Sequence, residues 1–390
     1  MVVVDVLTVV ILVIAVCGGV AWGLFASLGT LLGLIAGGLA ASGLVPLVNL
    51  WVPAAGLRGI VSLVTAVCLL VLGAALGRAI GKALRGGADR MRLRGLERFL
   101  GGVAGLVVAA LGIVIVAPVL TLTAPPAIAS AIASSRVLAV IDSVTPEPID
   151  VAVAELRGLL VDDGLPRLAD LLSPGTPTLD EPVALDDPQL EAAAASVPRI
   201  FGTASACGTS SSGSGFVVDE DLVVTNAHVV AGVDTPLVQL PGQPAREGRL
   251  VYLDPVDDLA VIAVDGLDAT PLTIASTLTA GASAVVQGYP YGGPFTSTSA
   301  HVLSVGTAAV PDIYDDSTAL REIYALQADV RPGNSGGPLL TGSGEVAGVV
   351  FARGEGDDEL GYAMTPAELS PALAGVSSAG PTVSSGACVS

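Results

Sequence analysis

The sequence predicts a multi-domain chain: an α-helical module of four membrane spans, followed by an all-β barrel or sandwich domain with room for two small barrels. Three observations predict it. The opening residues are almost continuously apolar, and Val6 to Leu57 holds no charge at all. A cluster of cations then separates two later apolar runs, at Arg78, Lys82, Arg85, Arg90, Arg92, Arg94 and Arg98. After Pro198 the pattern changes to short runs rich in Val, Ile and Thr, set apart by Gly, Pro, Asp and Ser.

A chain of 390 residues has room for two or more domains. Its 52% hydrophobic content and mean hydropathy of +0.75 exceed what one soluble globule carries. Charge is divided unevenly. Residues 1–122 hold eight Lys and Arg against three Asp and Glu, a net +5. The other 268 residues hold nine Arg against 33 acids, a net −24, so the whole chain stands at −19. An acidic soluble portion excludes nucleic acid as a partner, since that needs a basic face. The only lysine is Lys82 and the only histidines are His228 and His301, which leaves few candidates for a general base.

The 52 uncharged residues from Val6 to Leu57 would run about 78 Å as helix, whereas one span needs about 20 residues. Two spans fit, with the turn near Gly18 to Gly23. A third is expected from Ile60 to Ile80 and a fourth from Phe99 to Leu122. Asp5 stands where a signal peptide would carry a basic region, so no cleaved leader is expected. Short basic loops stay cytoplasmic, which places both the N-terminus and everything after Leu122 outside, with Arg58 the single dissenting cation. Gly29, Gly33 and Gly37 recur every fourth residue in the second span, and Gly73, Gly77 and Gly81 in the third. That spacing suits close helix packing, although glycine is common in membrane helices anyway. No Asp, Glu or His lies deep in a span, which argues against an ion or proton transporter with an accessory domain. Cys17 and Cys68 read as buried small hydrophobes. No CxxC or Cys/His cluster points to a metal, and no cofactor is expected.

Residues 123–199 form a connecting stretch rich in Ala, Pro and acids. Ala127 to Ile141 and Val151 to Leu160 suit short helices. Ser173 to Arg199 has little to bury and reads as a flexible linker, with a structural domain as the alternative, tethered close to the domain that follows and open to cleavage.

The domain at 200–390 carries three signals. Thr225-Asn226-Ala227-His228-Val229-Val230 puts a histidine directly after a β-run. Asp257-Asp258-Leu259-Ala260-Val261 puts acids at the head of a strand, and Gly333-Asn334-Ser335-Gly336-Gly337-Pro338 puts a serine in a glycine turn. Each alone has a structural reading: a buried histidine, a turn aspartate, a tight turn. Together, in the order His, Asp, Ser, they suit nucleophilic catalysis. A serine hydroxyl is a weak nucleophile unless held open beside a base. Gly333 and Gly336 can carry φ > 0, and the turn can aim the N–H groups of Gly333 and Ser335 at one point, where an oxyanion would sit.

These motifs resemble the trypsin/chymotrypsin-like serine proteases, particularly the bacterial HtrA branch. The likeness covers about residues 200–375 and includes Gly361-Tyr362-Ala363-Met364. It implies a double six-stranded barrel of the chymotrypsin type with the site in the crevice. Ser335 is then the nucleophile, His228 the general base, and Asp258 the residue that orients the imidazole, with Asp257 as its competitor. His301 lacks triad context. Residues 1–160 resemble the colicin V production protein family, a four-helix membrane module. The whole chain is similar to membrane-anchored acid-resistance serine proteases of mycobacteria and related actinobacteria. Asn334 stands where many digestive relatives have an aspartate that pairs with a new N-terminus, so that mode of activation is not expected.

An exported domain meets an oxidising compartment, so Cys207 and Cys388 are expected to pair, with two free thiols as the alternative. Asp329 lies six residues before Ser335, where trypsin-like relatives place the base of the primary specificity pocket. It either selects Arg and Lys or is neutralised by Arg331, and Phe351 and Met364 could line an apolar pocket instead. The expected function is a multi-pass inner-membrane serine endopeptidase, its catalytic domain extracytoplasmic (periplasmic), acting on protein or peptide in envelope or acid stress. An idle sensor or scaffold is the alternative.

Overall fold

The computed structural model describes residues 2–49, 55–88, 94–123, 126–158, 165–168, 171–172, 175–204, 206–207, 209–357 and 359–389. The chain divides into two compact units. One comprises Met1–Val119, Ser135–Pro146 and Glu155–Asp162; the other comprises Leu120–Ser134, Glu147–Ala154 and Asp163–Ser390.

The apolar runs form four long helices: α1 (Val2–Trp22), α2 (Leu24–Asn49), α3 (Ala55–Ala88) and α4 (Arg94–Thr123). The break between α1 and α2 is Gly23, at φ 84°, inside the expected turn. Among the described residues, three windows are long and apolar enough to cross a membrane: Val3–Trp22, Leu24–Ala41 and Gly95–Ala117. The glycine stripes are contacts and not background composition. A methyl group on Gly29 or Gly33 would fall on the backbone of Gly77 or Gly73 in α3, and the reverse also holds. Gly19 of α1 meets Gly101 of α4 in the same way. Backbones this close leave no room for a Cβ, and dispersion between them replaces the hydrophobic drive that lipid cannot supply. Cys17 and Cys68 differ from expectation: both are exposed. They lie on outward helix faces beside Ile14 and Val71, which are 65% and 63% exposed.

Three short helices follow: α5 (Pro126–Ala133), α6 (Arg136–Val144) and α7 (Glu147–Gly158). The break between α5 and α6 is made by Ser135, whose Oγ caps α6 by accepting from Leu138 N at 3.2 Å. Asp5 then accepts from Ser135 Oγ at 2.5 Å and from Val137 N at 3.2 Å.

The longest stretch of the second unit, from Asp163 on, holds first β1 (Arg167–Leu168) and an extended segment that leads to α8 (Pro188–Ala194). This stretch departs from the free linker expected there. Asp180 N donates to Gly281 O at 2.9 Å, and Ser283 Oγ donates to Glu181 O at 2.5 Å. Leu190 and Val197 are 1% and 0% exposed, and Gln287 donates to Leu190 O at 3.0 Å. A few apolar side chains spaced among prolines and acids suffice to plug a core. Solvent-exposed chain is left mainly at 178–182 and 184–186.

The strands are β2 (Arg199–Ala204), β3 (Thr209–Ser214), β4 (Phe216–Asp219), β5 (Leu222–Thr225), then helix α9 (Ala227–Val230). Next come β6 (Leu237–Gln239), β7 (Arg246–Glu247), β8 (Arg249–Asp254) and β9 (Leu259–Ala263). They form two four-stranded sheets, β3-β2-β6-β7 and β4-β5-β9-β8. Only Gly215 separates β3 from β4, and only Gly248 separates β7 from β8. A Cβ at Gly215 would meet Val224 O at 2.6 Å, and one at Gly248 would strike Ile262. The chain therefore turns a corner at each glycine and continues in the other sheet.

The remaining strands are β10 (Ser283–Gly288), β11 (Thr296–Pro311), β12 (Thr318–Gln327), β13 (Pro338–Leu340), β14 (Val346–Gly354) and β15 (Leu360–Met364). Helix α10 (Pro366–Leu373) follows them. The sheet order is β1-β14-β13-β10-β11-β12-β15, and β14 also pairs with β15, so β10–β15 close on themselves. Phe351 and Met364, expected as possible pocket walls, are 1% and 0% exposed and belong to the core with Leu190, Phe216 and Tyr362. They sit on strands buried almost throughout, so their apolar area is spent on packing.

Candidate active site

His228 sits on the single turn of α9, directly after β5, with Asn226 as the N-cap residue. Asp258 lies at the end of the turn between β8 and β9. Its φ of 53° is left-handed, a conformation that aspartate tolerates better than most side chains. Three hydrogen bonds fix it. Its Oδ1 accepts from His228 N at 2.9 Å, its Oδ2 meets His228 Nδ1 at 2.8 Å, and its carbonyl accepts from Asn226 Nδ2 at 2.9 Å. His228 and Asp258 are 8% and 3% exposed, so this pair is shielded from water. With Nδ1 held by a carboxylate, Nε2 is left as the proton acceptor. Asp257, the competitor, points elsewhere: its Oδ1 is 3.8 Å from Arg321 Nε. Burial and Asp254 push its carboxyl above the usual range, and Arg321 partly offsets this.

Ser335 occupies a turn in which Gly333 and Gly336 carry φ of 95° and 79°. Both need to be glycine. A Cβ on Gly333 would strike the backbone at Tyr289, and one on Gly336 would strike Thr225 and Ser214. The second clash shows how tightly the serine turn nests against the strand end that leads into His228. Asn334 is 1% exposed; its Oδ1 accepts from Arg331 N at 3.0 Å and its N–H donates to Arg331 O at 2.9 Å. The amide thus closes the turn locally, a use for Asn334 that its departure from the digestive pattern did not suggest. Ser335 Oγ and His228 Nε2 are both buried and have no hydrogen-bond partner among the described residues. Buried orphan polar atoms are costly, and here they are the two atoms between which a proton would pass.

Sequence reasoning missed Ser214, which is fully buried at the end of β3. Its Oγ donates to Gly333 O at 2.7 Å and accepts from Tyr289 N at 2.9 Å, while its N–H donates to Ser335 O at 2.8 Å. One small residue therefore pins the serine turn on both sides, its side chain at Gly333 and its backbone at Ser335. The signal was present in Gly213-Ser214-Gly215, a serine flanked by glycines, but it lies at the end of a serine-rich run. The carbonyl of Pro332 is likewise held, accepting from Tyr291 N at 2.5 Å.

Asp329 is not at the base of a buried pocket. Its side chain is 47% exposed and Oδ2 accepts from Arg331 Nε at 2.9 Å. Hydrogen bonds to Tyr291 and Asp329 hold Arg331 above even its usual range. His301 contacts the carbonyl of Asp180 at 3.1 Å and takes no part in the site. Cys207 and Cys388 are joined in a disulfide, with Cα atoms 6.5 Å apart.

Comparison with known proteins agrees with this geometry. The trypsin-like peptidase domain family matches residues 213–349, and the colicin V production protein family matches residues 4–146. Serine protease Rv3671c of Mycobacterium tuberculosis (strain H37Rv) is 36% identical over 317 residues, covering 80% of this chain and 79% of that one. The chain belongs to the Rv3671c family of serine proteases. The crystal structure of the Rv3671c protease in its active form aligns with TM-score 0.53 at 37% identity, covering 58% of this chain and 99% of that one. Putative serine protease HhoA of Synechocystis (strain PCC 6803) is 34% identical over 176 residues, covering 44% of each chain. The chain is thus a serine protease whose apolar helical region precedes a β-rich, chymotrypsin-like catalytic domain.

Proposed function

We propose that this protease is a membrane-anchored extracytoplasmic endopeptidase that cuts protein or peptide chains with His228, Asp258 and Ser335. Ser335 Oγ attacks the scissile carbonyl as His228 Nε2 takes its proton, and Asp258 stabilises the imidazolium. The N–H groups of Gly333 and Ser335 receive the oxyanion. The observation that carries this reading is the His228–Asp258 pair, whose Nε2, like Ser335 Oγ, is buried with no hydrogen-bond partner among the described residues, with the Ser335 turn packed against the strand end that leads into His228. A fluorophosphonate probe should label the wild-type chain and not the Ser335→Ala chain. Equal labelling of both would remove the assignment. When β3–β4 and β7–β8 are read as single strands bent at Gly215 and Gly248, β2–β9 make six strands, the number in the closed ring of β10–β15. That count supports two six-stranded barrels.

α3 supplies the third of four spans in this reading, with both chain ends outside the inner membrane. A cysteine placed at Ala88, in a chain with Cys17 and Cys68 replaced by Ser, should react with an impermeant maleimide only after permeabilisation. Reaction in intact cells would reverse the orientation. The resemblance of the sequence to membrane-anchored acid-resistance proteases supports a role in the envelope under acid stress.

Selection of basic residues before the cut does not follow from an exposed, neutralised Asp329. Asp329→Ala should leave the cleavage profile of a peptide library unchanged. A loss of Arg and Lys preference in that variant would show a charge-selecting pocket.

A further inference from the structure

Arg321 is the largest fully buried side chain of the described residues, 1% exposed, and it belongs to β12. A guanidinium in that position needs a reason, because desolvating a charge costs several kcal/mol unless partners offset it. Its partners converge on the turn that carries Asp258. Arg321 Nη2 donates to the carbonyl of Val256, two residues before Asp258, and to the carbonyl of Pro311 at 2.8 Å on its own hairpin. Its Nε lies 3.8 Å from Asp257 Oδ1 and has no hydrogen-bond acceptor. Ile313 N adds a bond to Pro255 O at 3.1 Å. The β11–β12 hairpin therefore grips residues 255–257 from behind, while His228 and Asn226 hold Asp258 from the front.

The hairpin end is stiff enough to serve as an anchor. Asp312 accepts from Tyr314 N at 2.9 Å, Asp316 N at 3.1 Å and Ser317 Oγ at 2.6 Å. Asp258 needs such support because its backbone is left-handed, a conformation that persists only where the surroundings enforce it.

We propose that Arg321 is a positioning residue of this protease, fixing the Asp258 turn and biasing the charge of the His228–Asp258 pair. The inference rests on the triad reading above. The charged and titratable groups around the turn are few. Asp254 and Asp257 share it, Tyr252 of β8 donates to Asp254 at 3.1 Å, Arg321 enters from β12, and Glu368 enters from α10. Burial and Asp254 push Tyr252 up to about 12, so it stays neutral. Burial pulls Arg321 down, and among the carboxylates that hold it up Asp258 acts most strongly, ahead of Asp257, Glu368 and Asp254. Arg321 is thus the one buried cation among four carboxylates. A fixed cation there offsets the negative charge gathered around the pair and opposes a second positive charge on the imidazole. Without it, those carboxylates would act on the pair with no counter-charge.

The test uses the full-length chain in detergent with two variants that keep a donor for the carbonyls. Arg321→Gln loses the charge; Arg321→Lys keeps it but loses the planar fork. Active serine is counted by fluorophosphonate titration, and kcat and KM are measured against pH per titrated site. Arg321→Gln should lower kcat about 10- to 100-fold with KM nearly unchanged, and move the acid limb of kcat/KM up by about one pH unit. Arg321→Lys should lose about 10-fold in kcat and keep the wild-type acid limb. A merely structural residue would reduce the titratable serine and leave the per-site limb in place. Wild-type limbs in both variants overturn the charge bias, and a wild-type kcat per site in Arg321→Lys overturns the positioning role even where Arg321→Gln does not fold. Failure of wild-type Ser335 to take the probe would instead overturn the triad and this inference together.

Discussion

Ser335→Ala should lower peptidase activity by about 10^6-fold, and His228→Ala by a similar factor, because members of a cooperating triad each carry nearly the whole effect when removed singly. Asp258→Asn should cost about 10^4-fold, since an amide at that position would favour the wrong imidazole tautomer. The fold should survive Ser335→Ala, because the turn is held by backbone and by Ser214, not by Oγ, which makes no hydrogen bond to the described residues. Circular dichroism and melting curves of the variant should match the wild type while turnover vanishes. Retained turnover in Ser335→Ala would end the triad proposal. The same protein tests the self-cleavage we propose. The active chain should yield a fragment cut within the exposed residues 178–186, and the Ser335→Ala chain should stay whole. An active chain that also stays whole would show that the built-in segment resists its own site.

The second large effect concerns the disulfide. Cys207 and Cys388 are 181 residues apart in sequence, so the crosslink closes most of the catalytic domain. On the chain-entropy model a loop of this size contributes about 5 kcal/mol, and the figure is an upper one because the tail has other anchors. Arg249 holds the carbonyls of Ser378 and Gly380, Val383 N donates to Leu250 O at 2.9 Å, and Gly232 N donates to Ser385 O at 2.9 Å. Cys207→Ser should lower the melting temperature of the catalytic domain by about 10 °C. The loss should also reach the site. A Cβ built on Gly232 would lie 2.7 Å from Cys388 Sγ, and Gly232 follows His228 by four residues. Freed from its bond, the tail end would expose the segment next to α9. Reductant should reproduce the shift in the wild type and add nothing to Cys207→Ser. Equal melting of oxidised and reduced wild type would remove the stabilising role.

The sequence alone determined the serine-protease class, the three motifs we propose to carry its chemistry, and which half of the chain is apolar. Thr225 to Val230, Asp257 to Val261 and Gly333 to Pro338 are local patterns, and local patterns report what a short stretch of backbone must do: turn sharply, end a strand, cap a helix. The long uncharged runs are equally direct, because spanning length and apolarity are properties of consecutive residues. What sequence could not rank were choices that depend on distant neighbours. The motif favoured Asp258 over Asp257, but only the fold shows why, turning one carboxylate to His228 and the other to Arg321, 64 residues away in the chain. Only the fold showed that Asn334 closes its own turn and that Asp329 is spent on Arg331 in solvent. The stretch from 175 to 199 was misread for the same reason. Its composition is that of a linker, but burial is decided by the cavity a side chain finds, and Leu190 and Val197 found one. Arg321 marks the limit most clearly. A lone arginine in a strand reads as surface charge, and nothing nearby in sequence tells that the carbonyls it satisfies stand behind the catalytic turn.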